Sequence, residues 1–530
     1  MKRLLLALAV AGAFWSAACS GNGIVNPPPP VGKYSKASLN GQYAFVTNGE
    51  SFTGGLSATP LARTGSFTAD GLGNITTGVE DINAAGTVST ALQITGGSYT
   101  VNADGRGTLT LQLGQNSIDF GITLTSTSDG LMIDETSNSA QSSTGSGNFI
   151  KQTPGSFQVS GIAGPYVFDF SGLDGNQTLQ CPCPESFIGE FTANNGAVSA
   201  GFFDDNDNGS FNGASFAGTI AQDPLQAATL SSFGRGVALI AGQNYVFYIV
   251  DATRVRFIST NGGMLSGDAV AQSNTAPANV SSIASSFVFI VAGSSINGGI
   301  TRVGRFTANG ATVTNVLEDT NDAGHFIKTD SGTNASITLD AANPGRGTLT
   351  FTDPNFLNAP GKYVFYLSSA TQGVIQEQTT NNSGAVDVAD GTIAAQSGSP
   401  FSSSNISGTY ALNWSGLSLQ NGGSFAVQDE EDLLSQVNVT SLNLRGAADI
   451  FQFQSGVPVF DLVTSGSISI AGDGTSSTGA SSRNTMNVTL TRSNSTTVNF
   501  VVYFVNPQLA FFTNNQNMNR IVAGVFKTQQ

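Results

Sequence analysis

Histidine is almost absent from this sequence: His325 is the only one in 530 residues. That count excludes a repeated Ser-His-Asp centre and any multi-histidine zinc site. Tryptophan is nearly as scarce. Trp15 and Trp414 are the only two, so no Trp platform for stacking sugars is shared along the chain. Charged residues make up 10%, and Lys and Arg form no stripe in a chain of formal net charge −15. Nucleic acid is excluded as a partner, because neutralising phosphates takes clustered cations. The acidity itself speaks to solubility. No phosphate-binding or dinucleotide glycine motif occurs in a strand–helix context. No window has helical periodicity, and no apolar run reaches transmembrane length.

What is present suits short strands and tight turns. Hydrophobic residues are 39%, 35 of the residues are Phe, and 64 are Gly. Thr, Val, Ile and Phe favour pleated surfaces, while Gly and Asn tolerate the positive φ of turns. The length suggests three or four domains at roughly 150 residues each.

The chain opens with Lys2 and Arg3, an apolar run from Leu4 to Trp15, and Ser16-Ala17-Ala18 directly before Cys19. The run is too short to be a permanent anchor. Residues 20–38 follow as a polar spacer stiffened by Pro27-Pro28-Pro29-Pro30, an extended tether. The start resembles the lipobox of bacterial lipoproteins, with Ser16 where that family usually has Leu. The resemblance implies removal of residues 1–18 and lipidation of Cys19. With Ser20 after the cysteine, it also implies sorting to the outer membrane, facing the periplasm or the cell surface. Ordinary secretion is the alternative.

Behind the tether one unit recurs four times. Its start reads Leu39-Asn-Gly-Gln-Tyr43-Ala-Phe45, then Ile162 to Phe168, Ile283 to Phe289 and Ile406 to Leu412. The leading aromatics Tyr43, Tyr166, Phe287 and Tyr410 lie 123, 121 and 123 residues apart. Each unit ends Gly-x-x-x-x-Gln, at Gln152, Gln272, Gln396 and Gln529. A Gly-Arg-Gly turn recurs around Arg106, Arg235 and Arg346; the fourth copy lacks it. The units are placed at 39–153, 160–274, 281–398 and 404–530. Self-similarity at a fixed period is the mark of a repeat architecture.

Strict alternation of Ile118, Phe120, Ile122 and Leu124 with polar or small residues has the period of a half-buried strand. The first unit divides into about eight such runs. The expected fold is therefore all-β: four tandem antiparallel modules of about eight strands. Up-and-down barrels, which have no edges, are preferred, with a β-sandwich as the alternative. Phe120, Phe247, Phe365 and Val502 are expected at equivalent core positions. Tyr245 to Ile249, Tyr363 to Leu367 and Phe500 to Phe504 are apolar on both faces, so Val246 and Tyr248 and their counterparts should meet a neighbouring module or a long loop, with a ligand or partner surface as the alternative. As a whole the chain is similar to multi-repeat bacterial lipoproteins rich in Gly, Ser and Thr. That resemblance implies an envelope location and no particular activity.

Three local features carry site candidates. Cys181 and Cys183, in a Cys-Pro-Cys-Pro run, are candidates for a disulfide in an oxidising compartment. Asp204, Asn206 and Asn208, with Gly209, match the first half of a calcium loop, but Ser215 stands where the bidentate Glu belongs. An acidic hairpin tip is the plainer expectation, and calcium is the only cofactor this sequence suggests. Glu80-Asp81 and Glu318-Asp319 occupy matching places in copies one and three, where they read as solvated hairpin residues. No catalytic residue is expected. The functional expectation is a lipid-anchored, non-enzymatic array of β modules meeting polysaccharide or another envelope protein. Carriage of small hydrophobic ligands inside the barrels and a carboxylate-dependent hydrolase are the alternatives.

Overall fold

In a computed structural model of the chain, four antiparallel barrels follow one another. The described residues are all except 1–31, 53–57, 138–141, 176–182, 324, 353–359, 380–386, 420–427, 453–457, 471–482, 492–494 and 516–519. The side chains of 325–333, 360, 419, 428 and 429 are likewise left aside. The barrels run from Asn40 to Lys151, Gly164 to Ala271, Ala284 to Ala395 and Gly408 to Thr528. In each, successive strands pair and the first strand pairs with the last. The first barrel differs in one strand. Its fourth is broken into Thr87–Ile94 and Gly96–Tyr99. One short helix, Ala228–Phe233, interrupts the all-β pattern in the second barrel.

The alternation of the strands is what fills each barrel. Inward residues form one buried apolar cluster per barrel, around Phe45 and Phe67, Phe168 and Phe187, Phe289 and Phe306, and Trp414 and Phe500. Phe120, Phe247, Phe365 and Val502 all belong to these cores. They are not all equivalent. Arg106, Arg235, Arg346 and Arg483 pair across the sheet with Thr123, Tyr248, Tyr366 and Tyr503. The counterpart of Phe247 is thus Ile122, and Phe120 matches Tyr245, one inward position earlier.

Expected as a row, the barrels close into a ring. Outward residues of the first three strands of one barrel meet the fifth to seventh strands of the next. Ala44, Ala62 and Val79 of the first barrel pack on Val246, Tyr248 and Ile258 of the second. Val167 and Ile188 meet Val364 and Tyr366. Val288, Val303 and Leu317 meet Val501, Tyr503 and Phe511. The two-faced apolar strands are therefore covered by the preceding barrel, as their sequence implied.

The terminal glutamine of each repeat locks the same joint. Gln152 donates to the carbonyls of Phe233 and Ile249, and Gln272 to those of Pro344 and Leu367. Gln396 donates to the carbonyl of Phe504. Gln529 donates to Asp104 and Leu124, which belong to the first barrel, so the fourth joint closes the ring. The next residue repeats the pattern: the backbone N–H of Thr153, Ser273, Ser397 and Gln530 donates to Val250, Ser368, Val505 and Thr125. Tyr34 seals this last seam, its hydroxyl donating to the carbonyls of Thr125 and Gln530. Truncating Gln272 to Ala should orphan one part-buried and one exposed carbonyl and cost about 1 kcal/mol. Thermal unfolding of the variant checks this, with an exposed Gln158→Ala change as the control.

Candidate functional site

The repeated polar residues are consumed at the joints. Arg235 grips Asp81 of the first barrel through two bonds of 2.8 Å, and Tyr248 donates to the same carboxylate at 2.5 Å. Arg346 and Tyr366 hold Asp204 in the same way, at 2.7, 2.7 and 2.6 Å. Arg483 and Tyr503 hold Asp319 at 2.8, 2.7 and 2.5 Å. Two residues on, Asn83, Asn206 and Asn321 each donate to two backbone carbonyls of the next barrel.

These contacts correct two expectations. Glu80-Asp81 and Glu318-Asp319 are not solvated hairpin residues; all four are buried. Asp81 and Asp319 face the next barrel, whereas Glu80 and Glu318 turn inward to Arg63 and Arg302. The Asp204 run is not a solvated tip either. Asp204 and Asn206 are committed to the third barrel, and Asn208, at φ 46°, makes the hairpin turn. Among the described residues no group of three or more His, Cys, Asp or Glu is placed to hold a metal ion. Cys183 is disulfide-bonded. Cys181 and Cys19 lie outside the described residues. His325 opens the fourth strand of the third barrel.

With the barrel interiors filled by their own side chains, the cavities of interest lie along the ring axis, where the first and eighth strands of the barrels face one another. One cavity of about 610 Å³ is lined by residues of all four barrels, among them Asp129, Asn148, Arg254, Gln372, Asn413 and Lys527. A second, of about 430 Å³, shares Asn148, Arg254, Gln372, Thr392 and Leu509 with it and adds Asp169 and Asp268. A third, of about 470 Å³, lies between the third and fourth barrels and shares Thr392 and Val525 with the first.

Strand register puts unlike residues at equivalent axial positions. Asp169 corresponds to Val46, Ile290 and Asn413, and Asp268 to Asn148, Thr392 and Val525. The fold is built four times with different residues there, so it does not dictate them. Charges balance near one end. Lys527 pairs with Asp129, and Arg254 approaches Asp268 at 3.3 Å. Burial alone would raise Asp129, but bonds from Lys527 and Ser126 outweigh it and hold the carboxyl below its ordinary range. Deeper in, burial and then the charges of Asp390 and Asp268 push Asp169 well up. Asp390 is pushed up to about 7 by burial, against bonds from Ser186 and Ser171.

Sequence reasoning named none of these axial residues. The only signal available was negative: positions where the four copies disagree although their neighbours agree. No protein-family model matches the sequence, and no curated protein sequence matches it. Among solved structures, similarity is found to transferrin binding protein B of Haemophilus parasuis, at 10% identity and a TM-score of 0.19, covering 96% of this chain and 100% of that one. A two-lobed transferrin binding protein B is similar at 9% identity and a TM-score of 0.17, covering 96% and 99%. Scores this low carry no argument about this chain.

Proposed function

We propose that this is an exported, lipid-anchored, non-enzymatic protein of the cell envelope, a rigid ring that takes a small polar ligand into its axial cavity. The observation that carries this reading is the convergence of all four barrels on one cavity whose lining breaks the repeat. The side chains that recur in the copies serve cores and joints, whereas several side chains that differ between them line the axis. Anchoring through Cys19 at the outer membrane follows from the lipobox-like start, and mass spectrometry of the mature N-terminus tests it. The ligand reading is tested by calorimetry with saccharides, amines and amino acids, on the wild type and on a Thr392→Trp plug. Thr392 lines all three cavities. The expected result is at least one ligand whose affinity the plug lowers more than about tenfold, roughly 1.4 kcal/mol. Binding indifferent to the plug overturns the reading.

A second reading has one specific observation behind it: Asp390 and Glu430 line the same cavity. Two carboxylates across a cleft are what a glycosidase needs. Turnover of a saccharide abolished by Asp390→Asn would establish the hydrolase and displace the binding role.

A further inference from the structure

We infer that the ring has one built-in opening, the joint between the fourth barrel and the first, and that ionisation of the carboxyl groups facing one another across it swings it apart. At the other three joints large side chains fill the contact. Where Val246 and Tyr248, Val364 and Tyr366, and Val501 and Tyr503 pack on the preceding barrel, the first barrel has Gly121 and Thr123. Against them the fourth barrel sets Ala447, where the others have Val79, Phe202 and Leu317. Phe451 stands where Asn83, Asn206 and Asn321 lock the other joints. Among the described residues no buried apolar cluster bridges the fourth barrel and the first.

Acids occupy the space instead. The Glu135 carboxyl lies over Gly121, where a Cβ would stand 2.6 Å from its Oε1. A backbone bond that recurs in every barrel marks its place, and the sisters have Thr260, Gln378 and Asn515 there. Oε1 is buried and accepts no hydrogen bond among the described residues. Asp432 of the fourth barrel stands where Ala62, Ser186 and Thr301 stand elsewhere, and it accepts from Thr144 of the first at 2.6 Å. Asp449 faces Glu135, and Glu430 faces Glu50 of the first barrel. Arg106 is held by Asp104 and Asp461, Arg63 by Glu80 and Asp134, Arg520 by Glu431 and Lys527 by Asp129. Burial, then the charges of Asp449, Asp134 and Asp119, push Glu135 well up. Burial pushes Asp432 up to about 7, against bonds from Thr144 and Ser415. A carboxyl that holds its proton more tightly buried than exposed favours the closed joint fully below about pH 4 and ceases to as pH climbs through about 7. The bonds of Tyr34, Gln529, Gln530 and Lys527 gather at the opposite end, around Thr125 and Asp129, where the seventh strand begins; Glu135 follows that strand's other end. The joint is thus hinged at one end and loaded with like charges at the other. Ser146 and Asn148 on one side of it and Asn413 and Val525 on the other line the axial cavity, so the gap is a side door to that cavity.

The test is distance measurement by electron paramagnetic resonance between spin labels on introduced cysteines in the mature protein, across about pH 5 to 8. One pair, at the exposed positions Gln115 and Phe460, spans the joint of the fourth and first barrels. A second, at the exposed positions Ser89 and Asn244, spans the joint of the first and second. The long-distance population of the Gln115–Phe460 pair should grow about tenfold or more over that range, while the Ser89–Asn244 pair keeps one distance. Glu135→Gln and Asp432→Ser install residues of sister barrels. Combined with Glu430→Gln, they should keep the Gln115–Phe460 pair at its short distance throughout. No widening of that pair in the wild type, equal widening of both pairs, or widening undiminished in the triple variant overturns the inference. The readout needs no ligand, so its failure is distinguishable from failure of the binding reading.

Discussion

Replacing Asp319 by Ala should be among the most damaging single changes at the joints of the ring, lowering stability by about 3–5 kcal/mol. Asp319 is fully buried and accepts from Nε and Nη2 of Arg483 and from the Tyr503 hydroxyl. Its loss removes the bidentate contact of a largely buried guanidinium and the acceptor of a buried phenol. Burial first, and then the Asp319 carboxylate, holds the Tyr503 phenol well above its ordinary pKa, so it remains a donor that needs one. The same change at Asp449, the corresponding residue of the fourth barrel, should cost only about 1 kcal/mol. There Arg106 lies 3.8 Å from Asp449 but keeps Asp461 at 2.8 Å and Asp104 at 3.2 Å, and Thr123 replaces the tyrosine. Differential scanning calorimetry ranks the two variants. Small-angle scattering shows whether the ring opens at the weakened joint. Equal losses at the two sites would refute the special standing of the triad.

The triad also measures how far the sequence could be read. Periodicity located the strands because one face of each is buried, and the four-fold repeat exposed the modules without any other sequence for comparison. Arg106, Arg235 and Arg346 were visible as a repeat, yet inside Gly-Arg-Gly they read as turn residues, because the turn glycines supply a sufficient local reason. Arg483 lacks those glycines and was passed over, although it makes the same contact. Asp81, Asp204 and Asp319 looked like hairpin acids because their partners lie 154, 142 and 164 residues away. Nothing local distinguishes such an acid from a solvated one. What could have is the joint recurrence of Asp, Arg and an outward Tyr at fixed places in three copies. The buried ion pairs inside barrels one and three show the same limit. Arg63–Glu80 and Arg302–Glu318 have Phe187 and Phe203 at their positions in barrel two. Either filling closes the barrel, so the fold constrains volume there and leaves the chemistry open.

Raising the pH from 5 to 8 should destabilise the ring substantially, opposite to the acid lability common among proteins. Burial pushes Glu80 up to about 7 despite Arg63, and Glu377 up to about 8 despite Arg302. Burial with neighbouring acids pushes Glu185 to about 8, and burial pushes Asp432 to about 7. Each of these groups holds its proton more tightly folded than unfolded. The resulting stabilisation is complete below the ordinary carboxyl range near 4 and disappears as pH climbs through 7 to 8. Asp129, Asp223 and Asp340 are shifted downward instead, and their stabilisation is lost only as pH falls below the same range. The two sets act on opposite sides of pH 4, so the maximum should lie near pH 4. One pKa unit corresponds to about 1.4 kcal/mol, and even about 1 kcal/mol for each of the four raised groups lowers the melting temperature by roughly 4 °C between pH 5 and 8. Calorimetric scans across that range check it, and a flat or rising profile would refute it. Glu185→Gln removes one of the four groups from a site where Gln243 donates to it, so that variant should show a visibly shallower decline.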